Sequence, residues 1–216
     1  MRHRAQSVPR EAAPDPLLKL RDAKLYVITP DASHERVIAI AAAAVRGGAD
    51  VIQLRHKTLP RGELLELARR VREVVEDALL IVNDYVDIAL LSGADGVHLG
   101  PDDLSVASAR KVAGDRLLIG VSASSADAVQ PGADYVGCGP AFATPLKPEK
   151  VVVGPAGIAA VAAVLDIPVF AIGGIDETNL HTLTELGVRR ACVIRAVAGA
   201  ADPEQAARRL RAILTS

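Results

Sequence analysis

The sequence predicts an α/β protein folded as a single (β/α)8 barrel, the TIM-barrel form, and three observations carry that expectation. Eight short β-branched runs recur along the chain, amphipathic helix patterns lie between them, and similar glycine-containing turns close several helices. Strands alternating with helices imply parallel pairing through right-handed crossovers. Near-continuous apolar strands imply a sheet covered on both faces. An open doubly wound sheet satisfies the same alternation, but eight units without an edge-strand signature favour closure. The 216 residues suit one domain, since a compact barrel of this kind needs roughly 200.

The strand candidates begin at Leu25 (LYVIT), Val51 (VIQLR), Leu79 (LLIVN), Gly96 (GVHLG), Leu117 (LLIGVS), Asp134 (DYVGCG), Pro168 (PVFAIGG) and Ala191 (ACVIRA). Among the helices, Leu64, Leu67, Ala68, Val71 and Val75 follow the i, i+3, i+4, i+7 spacing, as do Ala206, Leu210, Ile213 and Leu214. Gly47-Gly48-Ala49, Gly93-Ala94-Asp95 and Gly132-Ala133-Asp134 punctuate helix ends. The stretch Met1–Asp15 is polar, with Arg2, Arg4, Arg10 and two prolines, and lacks the apolar centre of a secretory signal. Residues 1–22 are therefore expected to be a disordered tail and residues 23–216 the barrel.

Composition excludes several classes of function. A net charge of −1 supplies no basic field for nucleic acid or an anionic membrane. Two Phe, three Tyr and no Trp argue against base-stacking platforms. No apolar run approaches the ~20 residues of a membrane span. Cys138 and Cys192 sit in apolar runs outside any metal-type spacing and read as reduced core thiols of a cytoplasmic protein. A homo-oligomer is left open.

In a barrel, chemistry belongs at the C-terminal ends of the strands, and polar residues collect there. Gln53, Arg55 and Lys57 share one face of the second strand, because strand side chains alternate. Pointed inward, they bring two cations to the barrel mouth, the usual provision for phosphate or carboxylate. The third strand ends Asn83-Asp84 and the fourth is followed by Asp102-Asp103. A carboxylate from each could meet, and two hard oxygen ligands completed by water and substrate phosphate suit Mg2+. Helix N-capping is the competing role for all three aspartates. Gly173-Gly174 after the seventh strand lets backbone approach a ligand, and Arg195 adds a cation nearby, unless it forms a structural ion pair. The long sixth loop, from Gly139 to Pro148, carries Thr144 and Lys147. Such loops commonly act as lids, although Lys147 could equally be a solvated surface lysine.

The ordered series QLR-x-K at Gln53–Lys57, VND at Val82–Asp84, ADGVHLG-x-x-D at Ala94–Asp103, IGVS at Ile119–Ser122, DYVGCGP at Asp134–Pro140 and AIGGI at Ala171–Ile175 resembles the thiamine-phosphate synthases. The likeness runs from about Lys24 to the C-terminus. It implies an Mg2+-assisted transferase that condenses 4-amino-2-methyl-5-hydroxymethylpyrimidine diphosphate with a thiazole phosphate and releases pyrophosphate. By position, Gln53, Arg55, Lys57, Asn83, Ser122 and Lys147 match residues that hold the pyrimidine diphosphate. Arg55, Lys57, Ser122 and Lys147 are the catalytic set among them. Asp84 and Asp103 match the Mg2+ ligands, and Thr144, Gly174, Ile194 and Arg195 lie at the thiazole-phosphate end. The chain departs from the family pattern at Leu146 and Arg195, where hydroxyl residues are common, and at Ser124, where a histidine is common.

Three other readings compete. A thiazole tautomerase of the same superfamily would have no use for Asp84, Asp103 and the full Gln53/Arg55/Lys57 set. A non-catalytic phosphate-sensing barrel would account for Leu146 and Arg195. An unrelated phosphate-binding isomerase would need Asp84 or Asp103 as a base. Mg2+-dependent turnover separates the synthase from all three.

Overall fold

The computed structural model describes residues 15–143 and 151–216. A short helix α1 (Pro16–Asp22) precedes β1 (Leu25–Ile28), α2 (His34–Arg46), β2 (Val51–Leu54), α3 (Arg61–Val74) and β3 (Leu79–Asn83). Next come α4 (Val86–Ser92), β4 (Gly96–Leu99), α5 (Val106–Ala113), β5 (Leu118–Ala123) and β6 (Tyr135–Cys138). The chain ends with α6 (Gly154–Val164), β7 (Val169–Ile172), α7 (Leu180–Glu185), β8 (Ala191–Val193), α8 (Arg195–Ala198) and α9 (Pro203–Thr215). All eight strands pair in parallel in sequence order, and β8 pairs with β1 to close the barrel. The eight runs expected from sequence are these strands, trimmed at their ends. The crossover from β5 to β6 is an exception to the helix pattern, carrying only a 3-10 turn at Ala126–Ala128.

Alternation along each strand divides the core into two layers. Ile52 and Leu54 join the layer between sheet and helices, together with Leu64, Leu67, Ala68 and Val71 of α3. Val51 joins the barrel interior with Tyr26, Leu79, Ile81, Leu118, Tyr135, Phe170 and Cys192. The rings of Tyr26, Tyr135 and Phe170 meet with centroids 5.4–5.9 Å apart. They fit because β5 carries Gly120 beside them: a Cβ there would lie 2.0 Å from the Tyr135 ring. Cys138 and Cys192 are buried free thiols.

The expected tail over residues 1–22 is corrected for residues 16–22, which form α1; residues 1–14 lie outside the described residues. Asp15 caps the helix by accepting the Leu17 N–H at 2.9 Å, and Pro16 opens it. Leu20 is fully buried against the interior cluster, so α1 plugs the bottom of the barrel. Replacing Leu20 by Ala is expected to lower stability by about 2–4 kcal/mol, since the vacated volume cannot fully collapse. Urea unfolding measures this, and an unchanged midpoint would mean that the plug adds nothing.

The same end of the barrel carries a repeated clamp. Asp50 accepts the Lys24 and Leu25 N–H groups at 2.8 and 2.9 Å and pairs with Arg211 at 2.7 Å. Asp95 accepts the Leu80 N–H at 2.7 Å and pairs with Arg72 at 2.7 Å. Asp134 accepts the Ile119 N–H at 2.7 Å and pairs with Arg110 at 2.9 Å. In each, the Asp before an even-numbered strand grips the preceding odd strand and an Arg of a covering helix, α3 for Asp95, α5 for Asp134 and the C-terminal α9 for Asp50. Each thus spans two strands of the closed sheet. Before β8 the corresponding residue is Arg190, whose Nη2 donates to the Arg21 carbonyl of α1 at 2.7 Å.

Candidate active site

At the opposite end of the barrel, β1 organises the loop after β2. Thr29 Oγ1, fully buried, accepts the Arg55 N–H at 3.1 Å. Asp31 accepts the Lys57 N–H at 2.7 Å and the Arg55 guanidinium at 3.2 Å. His56 turns aside, its Nε2 3.0 Å from the Ala32 carbonyl oxygen. Arg55 and Lys57 therefore reach the mouth on a backbone fixed from the neighbouring strand.

Lys57 Nζ lies 2.5 Å from Asp84 Oδ2. Asp84 is the one non-glycine residue with positive φ among the described residues, at 67°, a conformation that Asp tolerates better than most. Its N–H donates to the His98 carbonyl at 2.9 Å, which fixes its backbone against β4. There Asp84 comes close enough to Asp103 for the two carboxyl groups to act on each other. Burial first, and then Asp84, push the Asp103 carboxyl above its ordinary value. Asp103 Oδ2 also accepts the Gly100 N–H at 2.7 Å. The capping role is filled elsewhere: Ser105 caps α5 by accepting from Ser108, and neither Asp84 nor Asp103 caps a helix.

Two converging carboxylates with one lysine suit a hard divalent cation whose other ligands come from substrate and water. No group of three His, Cys, Asp or Glu able to hold a metal occurs among the described residues. The chain alone thus offers a partial coordination shell.

Gln53, 2% exposed, hangs inward from β2 and its Nε2 donates to Tyr26 Oη at 2.8 Å. Asn83 ends β3 beside His98 of β4, and Ser122 of β5 stands 2.9 Å from His98 Nε2. Gly173 and Gly174 have positive φ, and a Cβ on them would lie 2.6 Å from Pro140 Cβ and 2.7 Å from the Ala143 oxygen. The Phe142 N–H donates to the Gly173 carbonyl at 3.0 Å. These glycines therefore serve to seat the start of the sixth loop. Ile194 and Arg195 open α8 at the same end, with Arg195 exposed. No salt bridge at contact distance joins Arg195 to Asp176 among the described residues; Asp176 accepts from Thr178 at 2.9 and 2.6 Å, and Thr178 first, with the charge of Arg195 adding to it, holds its carboxyl below the ordinary value. Thr144, Leu146 and Lys147 lie outside the described residues.

A family model described as thiamine monophosphate synthase matches residues 25–197. The chain belongs to that family. It is 46% identical over 196 residues to a thiamine-phosphate synthase of Anaeromyxobacter dehalogenans, covering 87% of this chain and 86% of that one. It is 44% identical over 191 residues to the Gloeobacter violaceus protein of the same name, covering 86% of this chain. This chain spans only 55% of the Gloeobacter protein's length. A thiamine phosphate pyrophosphorylase structure from Pyrococcus furiosus superposes with a TM-score of 0.82 at 37% identity, covering 92% of this chain and 98% of that one.

Within this thiamine monophosphate synthase frame, four residues near the site went unread in the sequence. His98 stood among the polar strand ends without a role. Tyr26 and Tyr135 passed only as members of their strand runs, and nothing in either run shows that the two phenols meet across the barrel. Asp31 gave no signal, because its partners lie one strand away.

Proposed function

We propose that this chain condenses an aminopyrimidine methyl diphosphate with a thiazole phosphate, giving thiamine phosphate and pyrophosphate. The observation that carries the reading is the row Lys57–Asp84–Asp103 at the barrel mouth, with Arg55 at one end and Ser122 on the strand adjoining the other. That row combines donors for a diphosphate with a carboxylate pair for a divalent cation.

The bond from the exocyclic carbon to the diphosphate oxygen breaks, and pyrophosphate leaves with the electron pair. The electron-rich aminopyrimidine carries the resulting cation until the thiazole nitrogen forms the new C–N bond. That nitrogen needs no general base. Arg55, Lys57 and Ser122 stabilise charge growing on the leaving group, with Lys147 assigned to the same task by family position. Asp84 and Asp103 would hold Mg2+, which when bound adds further neutralisation of the diphosphate. Gln53 and Asn83 orient the pyrimidine, and Thr144, Gly174, Ile194 and Arg195 bind the thiazole phosphate. Orientation of the two reactants supplies the rest of the acceleration.

No helix among the described residues is long and apolar enough to cross a membrane. The two unpaired, buried thiols support a reducing, cytoplasmic setting.

The decisive experiment mixes the full chain with both phosphorylated substrates and follows thiamine phosphate with and without Mg2+. Product is expected only with both substrates and the metal. Absence of product in Mg2+, or tautomerisation of a thiazole precursor in its place, would overturn the reading.

A further inference from the structure

A continuous row of hydrogen bonds crosses the barrel interior beneath this site. Gln53 Nε2 lies 2.8 Å from Tyr26 Oη, which lies 2.9 Å from Tyr135 Oη. Tyr135 Oη is 3.2 Å from His98 Nδ1, and His98 Nε2 is 2.9 Å from Ser122 Oγ. The row passes from β2 to β5 through side chains of β1, β6 and β4. Its middle is dry, with Tyr26 and Tyr135 1% and 0% exposed. Burial pushes both phenols well above their ordinary pKa, so each keeps its single proton.

With a neutral imidazole, one proton per link leaves two self-consistent polarities. In the first, the Gln53 amide donates to Tyr26, Tyr26 to Tyr135, and Tyr135 to His98 Nδ1. His98 then carries its proton on Nε2 and donates to Ser122, whose own hydroxyl proton stays available to the cavity. In the second, Gln53 turns its carbonyl to Tyr26 and every donor reverses. Ser122 then spends its proton on His98 and offers the cavity only lone pairs. Diphosphate oxygens accept and cannot donate, so only the first polarity binds them at Ser122.

We propose that Tyr26 is a positioning residue that, through Tyr135, ties the orientation of the Gln53 amide to the tautomer of His98 and the hydroxyl proton of Ser122. This rests on the proposed placement of the diphosphate at Ser122. The row makes the two ends of the pyrimidine substrate a single choice. A ring amino group donating to the Gln53 carbonyl selects the polarity in which Ser122 donates to the leaving group. A ring acceptor at Gln53 selects the opposite one. Discrimination for amino over oxo pyrimidines thereby reaches the reacting bond through the two buried tyrosines.

The test uses the full chain labelled with 15N-histidine and free of ligand, since pyrophosphate at Ser122 would itself hold the Nε2–H tautomer. The wild type is expected to hold His98 in the Nε2–H tautomer, and Tyr26→Phe to give a mixture. Tyr26→Phe is expected to lower kcat on the order of 10-fold with little change in KM, the scale of one lost hydrogen bond. In a Ser122→Ala background the same substitution should cost almost nothing more, because both act through one hydroxyl. Tyr135→Phe cuts the row beside the imidazole and gives the same readouts if Tyr26→Phe fails to fold. A pure Nε2–H tautomer in the phenylalanine variants, another tautomer in the wild type, or losses that multiply in the double variant would overturn the proposal. Tautomer mixing in a chain that makes no thiamine phosphate would overturn the proposed reaction and leave the relay standing.

Discussion

Asp84→Asn is expected to lose about 100-fold or more in turnover at saturating substrates, with a raised demand for Mg2+. The variant is chosen for its backbone. Asp84 sits at φ 67°, and Asn tolerates that region, so charge is removed without forcing the chain to move. Its amide retains a shape able to meet Lys57 and Asp103, but the pair of carboxylates loses half its negative charge. In the proposed Mg2+ site a hard cation would then have one anionic ligand in place of two. The loss should fall mainly on kcat, because neutralisation matters most as the leaving group gains charge. Steady-state kinetics across an Mg2+ titration measures it. Wild-type turnover with an unaltered Mg2+ dependence would remove Asp84 from the metal site.

A large effect on stability is expected from the other end of the barrel, at Asp134. Its carboxylate accepts the Ile119 N–H and pairs with Arg110, and both side chains are less than a third exposed, at 24% and 29%. Arg110 also donates to the carbonyls of Gly114, Leu117 and Gly132. Asp134→Ala therefore leaves a partly buried guanidinium without its counter-charge and a strand N–H without its acceptor. About 3 kcal/mol is the expected loss, at the lower end for breaking a buried pair because water reaches this one. Asp134→Asn keeps an acceptor for the N–H and should lose less. Urea midpoints for the two variants and the wild type decide it, and equal midpoints for all three would make the clamp ornamental. Turnover per folded molecule should stay near wild type, since the clamp lies at the end of the barrel away from the catalytic mouth.

Most of the barrel was legible because its strands announce themselves by period and length. The inward face of β2 followed from alternation alone, since placing Ile52 and Leu54 inside would have stranded Gln53 beneath a helix. What escaped was local or non-local in specific ways. Helix α1 is 7 residues long, too short for a period to emerge, and its Leu17 and Leu20 look like incidental apolar residues in a polar segment. The aspartates at 95 and 134 read as turn residues, because the Arg72 and Arg110 that give them meaning lie 23 and 24 positions away. Gly173 and Gly174 signalled close approach correctly, but a sequence does not say whether ligand or backbone does the approaching. Within the site, charged residues at strand ends could be read singly. The polarity of a row built from Tyr26, Tyr135 and His98 exists only once five strands are in register.

The clamp missing before β8 changes how the barrel is sealed. The Asp95 and Asp134 clamps fasten two-strand units with their own residues, whereas Asp50 is met by Arg211 of α9, 161 positions on. At the join between the last strand and the first, the fastening is a guanidinium reaching to the carbonyl of Arg21, 169 positions earlier in the chain. Helix α1 and the C-terminal α9 therefore act together as the hasp of the final seam, one holding Arg190 and the other Asp50.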